Sequence, residues 1–504
     1  MDHALFLELT ILLPLLGALG LALVPEEDGD AVRGLTLGMT TITFLVSLPL
    51  FWLYDPAVGG YQLERAHAWL PGLGATFKVG IDGIALLLIL LTTFLMPLAV
   101  LASWRGIDRR VKSFHVALLV LEAAMIGVFA ARDLLGFFLF YEVMLPPMFL
   151  LIGIWGAEER VRAAIKFFIF TAVGSLLMLA AIAWIYVAAG RTFDLDLIGA
   201  RLAEMRVAGT LGPREQFWLC AAFLLAFAIK VPVVPVHTWL PHAHVQAPTA
   251  GSVVLAAVML KVGGYGFLRF CLPLFPEGAR ELAPLMAWLG VIGVVYGALM
   301  ALAQTDLKRL IAYSSISHLG LVATGIFAGL MVAPGPGHER ALGGAVFQMV
   351  AHGLSTGALF FLVGCIYDRR HTKVIAHLGG LAKPAPRLAT CFVVATLASI
   401  ALPGTAGFVG EILILFGVFE SHKVLAALGA TGMVLGAAYM LWAVQRSFFG
   451  PAEGENRDVE DIDGIELAGV LPLLAFAFVL GLFPGPFLAR IEPAVRALAA
   501  AHGG

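Results

Sequence analysis

Charge is what this sequence has least of. Aspartate, glutamate, lysine and arginine make up 13% of the 504 residues, against roughly 25% in an ordinary soluble domain. The formal net charge of −2 leaves no broad basic surface for nucleic acid. Cysteine is scarce too. Cys220, Cys271, Cys365 and Cys391 stand far apart in or near apolar runs, with no CxxC pair. That argues against a metal or iron–sulfur site and for buried thiols. There is no Walker sequence, no GxGxxG after a strand, and no convincing Ser/His/Asp arrangement. The opening stretch "MDHALFLELTILLPLLGALG" lacks the basic n-region of a signal peptide. It is predicted to be a retained first membrane helix.

What is present is hydrocarbon. Hydrophobic residues make up 60% of the chain, and the mean hydropathy is +0.93. A soluble fold could not bury that much apolar surface, so the solvent must be a bilayer. A spanning helix needs roughly 20 apolar residues. That rule predicts an all-α polytopic membrane protein with about fourteen transmembrane helices. They lie near 5–24, 35–54, 81–103, 113–131, 133–154, 163–189, 215–234, 249–272, 282–303, 308–332, 341–366, 388–416, 424–448 and 466–489.

The connections alternate between two sides, and both termini fall on the same one. "WRGIDRRVK", "ERVRAAIK" and "DRRHTKVIAHLGGLAKPAPR" put a modest excess of Lys and Arg on the opposite side. The positive-inside rule then predicts both termini outside, in the periplasm of a bacterium. Four of the charges on the termini's own side sit in one long connection, 190–214, read as a loop.

Two segments are interrupted. "LLAFAIKVPVVPVHTWL" carries Pro232 and Pro235, and "TLASIALPGTAGFVGEILILF" carries Pro403 and Gly404. Broken helices in hydrocarbon are tolerated only where they pack in protein or line a polar cavity. The breaks fall in helices 7 and 12, five apart. This predicts two inverted five-helix repeats, 113–272 and 282–448, preceded by three helices (1–112). The last helix and a tail follow (449–504). Two unrelated proline kinks are the plain alternative.

The few charges at membrane depth are functional candidates by default, because each is costly there. Glu142 lies in "FFLFYEVMLPPMFLLIGIW" and Glu122 in "VALLVLEAAMIGVF". Lys230 precedes the first break, and Lys261 lies in "SVVLAAVMLKVGGYGFLRF" with Tyr265 four residues on. Four residues is one helical turn, so the pair shares a face. Arg269 is placed at the end of that segment. Glu411 follows the second break. His318 and His352 lie in adjacent segments and could bridge the repeats, and His237, His242 and His244 cluster after the first break. Imidazole relays protons near neutral pH. Each group has a plainer reading: a packing hydrogen bond for the acids, a static ion pair for Lys230, a satisfied core group for a histidine. No acid or cysteine completes a metal site with the three loop histidines. Together these residues read as a proton-conducting or cation-exchanging membrane protein with no cofactor of its own.

Longer motifs carry a resemblance. "AFAIKVPVVPVHTWLPHAHVQAPTAGSVVLAAVMLKVGGYGFLRF", "QTDLKRLIAYSSISHLG" and "HGLSTGALFFLVG" are very similar to signatures of the antiporter-like subunits of proton-pumping NADH:quinone oxidoreductase (respiratory complex I). The resemblance runs from about residue 60 to 490 along essentially the whole chain. The "HVQAPTAGSVVLAAVMLKVGGYG" wording and Glu411 are similar to the chain M (subunit 4) branch. Chain N relatives and the sodium/proton antiporter subunits generally carry lysine at the Glu411 position. The chain ends with no counterpart of the long lateral helix of chain L relatives.

The resemblance implies a proton-translocating membrane-arm subunit. It casts Glu142 and Lys230 as an acid–lysine pair, Lys261 as the central lysine and Glu411 as the exit-side acid. His318 and His352 fall in the hydrated axis between them. It implies that NADH, FMN, iron–sulfur clusters and quinone are used by the rest of the complex, and none is bound by this chain. It also implies chain L and chain N homologues as partners, surrounding lipids, and a bacterial inner membrane. A subunit of a multisubunit sodium/proton antiporter, or of a membrane-bound hydrogenase, is the alternative.

Overall fold

The computed structural model describes residues 3–332 and 335–500. Among them, twelve helices are long and apolar enough to cross a membrane. Without water to bond to, a spanning backbone must satisfy its own amides, and the helix does so within one segment. Large side chains such as Leu19, Trp218, Val434 and Phe483 are exposed on the outer surface, as hydrocarbon allows. The two other predicted segments are the two expected to be broken. One is helix Pro213–Lys230, which carries Arg214, Glu215 and Lys230 and is followed by helix Trp239–Gln246. The other is split into Pro386–Ser399 and Ala406–Ser421.

The fold is helical as expected, with one addition: strands Gln62–Leu70 and Ala75–Ile81 form an antiparallel hairpin. Gly74, at φ +64°, closes its turn in the left-handed region that favours glycine. The 190–214 connection is not a loop throughout, since it holds helix Leu195–Val207. The last apolar segment stops at Leu482, and a separate amphipathic helix, Gly485–Ala500, buries Ile491, Val495 and Leu498.

The hairpin organises one end of the bundle. Glu8 of the first helix pairs with Arg65 and, at 2.6 Å, with His67. Lys78 Nζ donates to Asp194 and Asp196, each at 2.8 Å. Burial opposes the Lys78 charge, but these hydrogen bonds outweigh it and hold the ammonium above its ordinary pKa. Burial likewise opposes the Asp196 charge, and Lys78 and Arg132 outweigh it, so Asp196 titrates below the usual carboxylate range. Both groups thus stay charged across the physiological range. Arg490 Nε donates to Phe51 O at 2.9 Å, which brings the last helix to the same end.

Helix Thr249–Leu274 lies at the centre, buried along nearly all its length. It widens into π-helical turns at Leu255–Met259 and Phe267–Cys271, on either side of Lys261. Such turns free carbonyls from the ladder and recur at functional sites. Gly263 lets this helix lie against the first break, since a Cβ there would sit 2.6 Å from Phe227 O and 2.9 Å from Val231 N. Neither backbone atom can give way cheaply. Gly263→Ala is expected to destabilise the chain by about 1–3 kcal/mol, the usual cost of overpacking. A lowered midpoint of thermal unfolding in the assembled protein checks this.

Candidate functional site

Four side chains from three helices and one half-helix line up in the bundle interior. Lys261 Nζ donates to Ala256 O at 2.5 Å, a carbonyl of the first π-helical turn, and lies 2.7 Å from His352 Nδ1. With Lys261 charged, the ammonium donates and His352 Nδ1 accepts. The His352 and His318 rings stand 5.6 Å apart, centroid to centroid. His318 Nδ1 then lies 2.8 Å from Glu411 Oε1, which also accepts from Gln348 Nε2 at 3.1 Å. All four are buried. The one link without a direct hydrogen bond among the described residues is His352 to His318.

Lys230 is arranged differently. It ends its helix, where Trp239 Nε1 donates to the freed Ile229 carbonyl at 2.9 Å. Its ammonium is buried and has no hydrogen-bond partner among the described residues. It faces the Tyr141 ring at 4.8 Å and the Phe167 ring at 6.0 Å. Glu142 acts on Lys230 through space, but the two form no ion pair among the described residues. Neighbouring helix positions point about 100° apart. Tyr141 therefore faces the lysine, while Glu142 is half-buried on a flank. The cost of burying Lys230 is offset here by aromatic faces and not by the expected carboxylate contact.

The other expected relay groups stand apart. Tyr265 OH donates to Phe129 O at 2.9 Å and its ring packs edge-on against Phe129, so it turns from the Lys261–His352 pair toward helix Val111–Ala130. Glu122, on that helix, is fully buried with both oxygens unpartnered among the described residues. His237 packs on Tyr296 at 5.1 Å, His242 is exposed and His244 stacks on Phe360 at 4.4 Å. The three diverge. Among the described residues no group of three or more His, Cys, Asp or Glu could hold a metal ion.

Sequence reasoning passed over Gln348, Lys308 and the place of His244. Lys308 Nζ donates to Ala247 O at 2.6 Å, and Lys373 Nζ to Val245 O at 2.7 Å. Together they clamp the loop after His244. Both line a cavity of ≈140 Å³ with Asp368, Tyr367, Gln246 and Thr249, at the end opposite the hairpin. That volume holds several waters. A lysine in the first turn of a spanning helix, as in "TDLKRL", was the available signal.

A family described as NADH:quinone oxidoreductase/Mrp antiporter, transmembrane, matches residues 131–436. The chain is 47% identical over 501 residues to NADH-quinone oxidoreductase subunit M of Rhodobacter capsulatus, covering 98% of this chain and 96% of that one. The chain belongs to this family, in its subunit M branch. It is 41% identical to NADH-ubiquinone oxidoreductase chain 4 of Arabidopsis thaliana, over 97% of this chain and 96% of that one. In three dimensions it is similar to a chain of respiratory complex I from Thermus thermophilus. The TM-score is 0.88 at 34% identity, with 99% of this chain and 100% of that chain covered. As a subunit M, the chain is an antiporter-like membrane subunit of NADH:quinone oxidoreductase. The family match spans both broken helices and all four aligned residues.

Proposed function

We propose that this subunit moves protons along Lys261, His352, His318 and Glu411 within the membrane arm of NADH:quinone oxidoreductase. The observation that carries the reading is the line itself. A lysine, two imidazoles and a carboxylate stand in sequence at membrane depth, with contacts of 2.7 Å and 2.8 Å at its two ends. Each can take up and give back a proton, and no redox group is needed along it. Redox cofactors belong to other subunits, and chain L and chain N homologues flank this one. Fourteen spans, in two inverted repeats about the broken helices, would put both termini on one side of a bacterial inner membrane, and the excess of Lys and Arg on the other side supports the outside. Glu142 acts from its half-buried flank, where a neighbouring subunit's charge would reach it and, through it, Lys230. The open Glu142–Lys230 pair is then one of two arrangements, the closed ion pair being the other.

The test is proton uptake by proteoliposomes carrying the assembled His352→Leu complex in sodium-free medium. Pumping by the unaltered complex without sodium, with a clear fall in the variant, supports the reading. Pumping that requires sodium would favour a sodium/proton antiporter, and unchanged pumping in the variant would remove His352 from the path.

A further inference from the structure

Away from the line of four, an apolar groove of ≈410 Å³ opens at membrane depth. Phe44, Phe51 and Trp52 of helix Gly29–Leu53, Leu91 and Phe94 of helix Gly83–Ala102, and Phe476 of the last span face into it. Its volume falls in the roughly 300–1,000 Å³ range of ligand sites. Trp52 is 70% exposed at the end of its span, where tryptophan marks the membrane–water interface. From Trp52 to Phe44 is eight residues, so the groove runs about 12 Å down into the hydrocarbon. The lining is apolar throughout and the groove starts at the interfacial Trp52, which suits an alkyl chain entering from the bilayer.

The mouth has the opposite character. The Arg490 guanidinium sits 3.7 Å over the Phe51 ring. Its Nε donates to Phe51 O at 2.9 Å and one Nη to Pro486 O at 3.1 Å. Arg490 has no carboxylate partner among the described residues. A half-exposed guanidinium at the membrane interface, with N–H donors left over after these two bonds, is the chemistry that takes a phosphate.

We infer that this groove is a phospholipid site, with one acyl chain between the spans and the headgroup phosphate on Arg490. The chain backs the wall of the proton path. It packs on Leu91, whose Cδ2 would lie 2.8 Å from a Cβ on Gly353, the residue beside His352. A filled groove keeps Leu91 seated there and water out of that side of the Lys261–His352 contact.

The assembled complex in nanodiscs of dioleoyl phosphatidylglycerol, doped with the same lipid bearing a diazirine in its acyl chain, tests this. After irradiation, peptide mapping should find label on the Phe44–Trp52 and Leu87–Phe94 segments. Leu90 also lines the groove, and Leu90→Trp, which fills it, should cut that label about tenfold, equivalent to about 1.4 kcal/mol of binding. Arg490→Gln, at the surface, should reduce phosphatidylglycerol labelling to the level given by a diacylglycerol probe, which has no phosphate. Label absent from these segments, or indifferent to both variants, would overturn the site. So would a cross-link from another subunit lying in the groove.

Discussion

Lys261→Met is expected to stop proton movement through this subunit while leaving the complex assembled. Methionine matches the length of the lysine stem and packs into irregular space, so the buried helix keeps its neighbours. What disappears is the donor that reaches both Ala256 O and His352 Nδ1. Ala256 O then lacks that donor, at about 1–3 kcal/mol, partly offset because a buried charge is also gone. The loss falls on transfer. A positioned proton-transfer group contributes about 10²–10⁴-fold to rate, so flux through this chain should drop at least about 100-fold. Lys261→Arg separates charge from exchange. It keeps the cation but holds its proton permanently, so it should block transfer like the methionine. An arginine variant that pumps normally would mean Lys261 supplies only a fixed charge.

The second large effect is on stability. Asp82 caps helix Gly83–Ala102, its Oδ1 accepting from Ala85 N at 2.9 Å. Its other oxygen pairs with Arg269, and both groups are buried. Asp82→Ala removes the cap and leaves a guanidinium uncompensated beside the second π-helical turn. Breaking one side of a buried ion pair costs about 3–5 kcal/mol. Asp82→Ala should therefore lower the thermal midpoint of the assembled protein sharply. Replacing both partners, Asp82→Asn with Arg269→Leu, should recover most of that loss, because the cap survives and no charge is stranded. A double variant as unstable as Asp82→Ala would show that the pair contributes more than mutual compensation.

Much of this architecture could be read from the chain, because long apolar runs and buried charges are strong signals in a bilayer. The segments holding Lys261, His318, His352 and Glu411 all lie where hydropathy put them. What hydropathy could not show is local. Hydropathy passes over the hairpin because Glu64, Arg65, His67, Thr76 and Lys78 lie among the apolar residues of its strands and lower the mean. The helix at Leu195–Val207 was missed for a similar reason, being too polar to span. Arg269 was read as a helix end, yet it lies inside the helix and is held there by Asp82, 187 positions earlier in the numbering. Tyr265 shares a helix face with Lys261, but only packing decides that its hydroxyl reaches Phe129 O. The π-helical turns leave no composition signature, although the crowded glycines at 263, 264 and 266 mark where close approach was needed.

The central claim is that protons follow Lys261, His352, His318 and Glu411. The most direct measurement is the number of protons pumped per electron passed to quinone, in proteoliposomes of the unaltered, Lys261→Met and Tyr265→Phe complexes. The account predicts a lower ratio for Lys261→Met and an unchanged one for Tyr265→Phe, whose hydroxyl points away from the path. An unchanged ratio in Lys261→Met, or an equal fall in both variants, would contradict it.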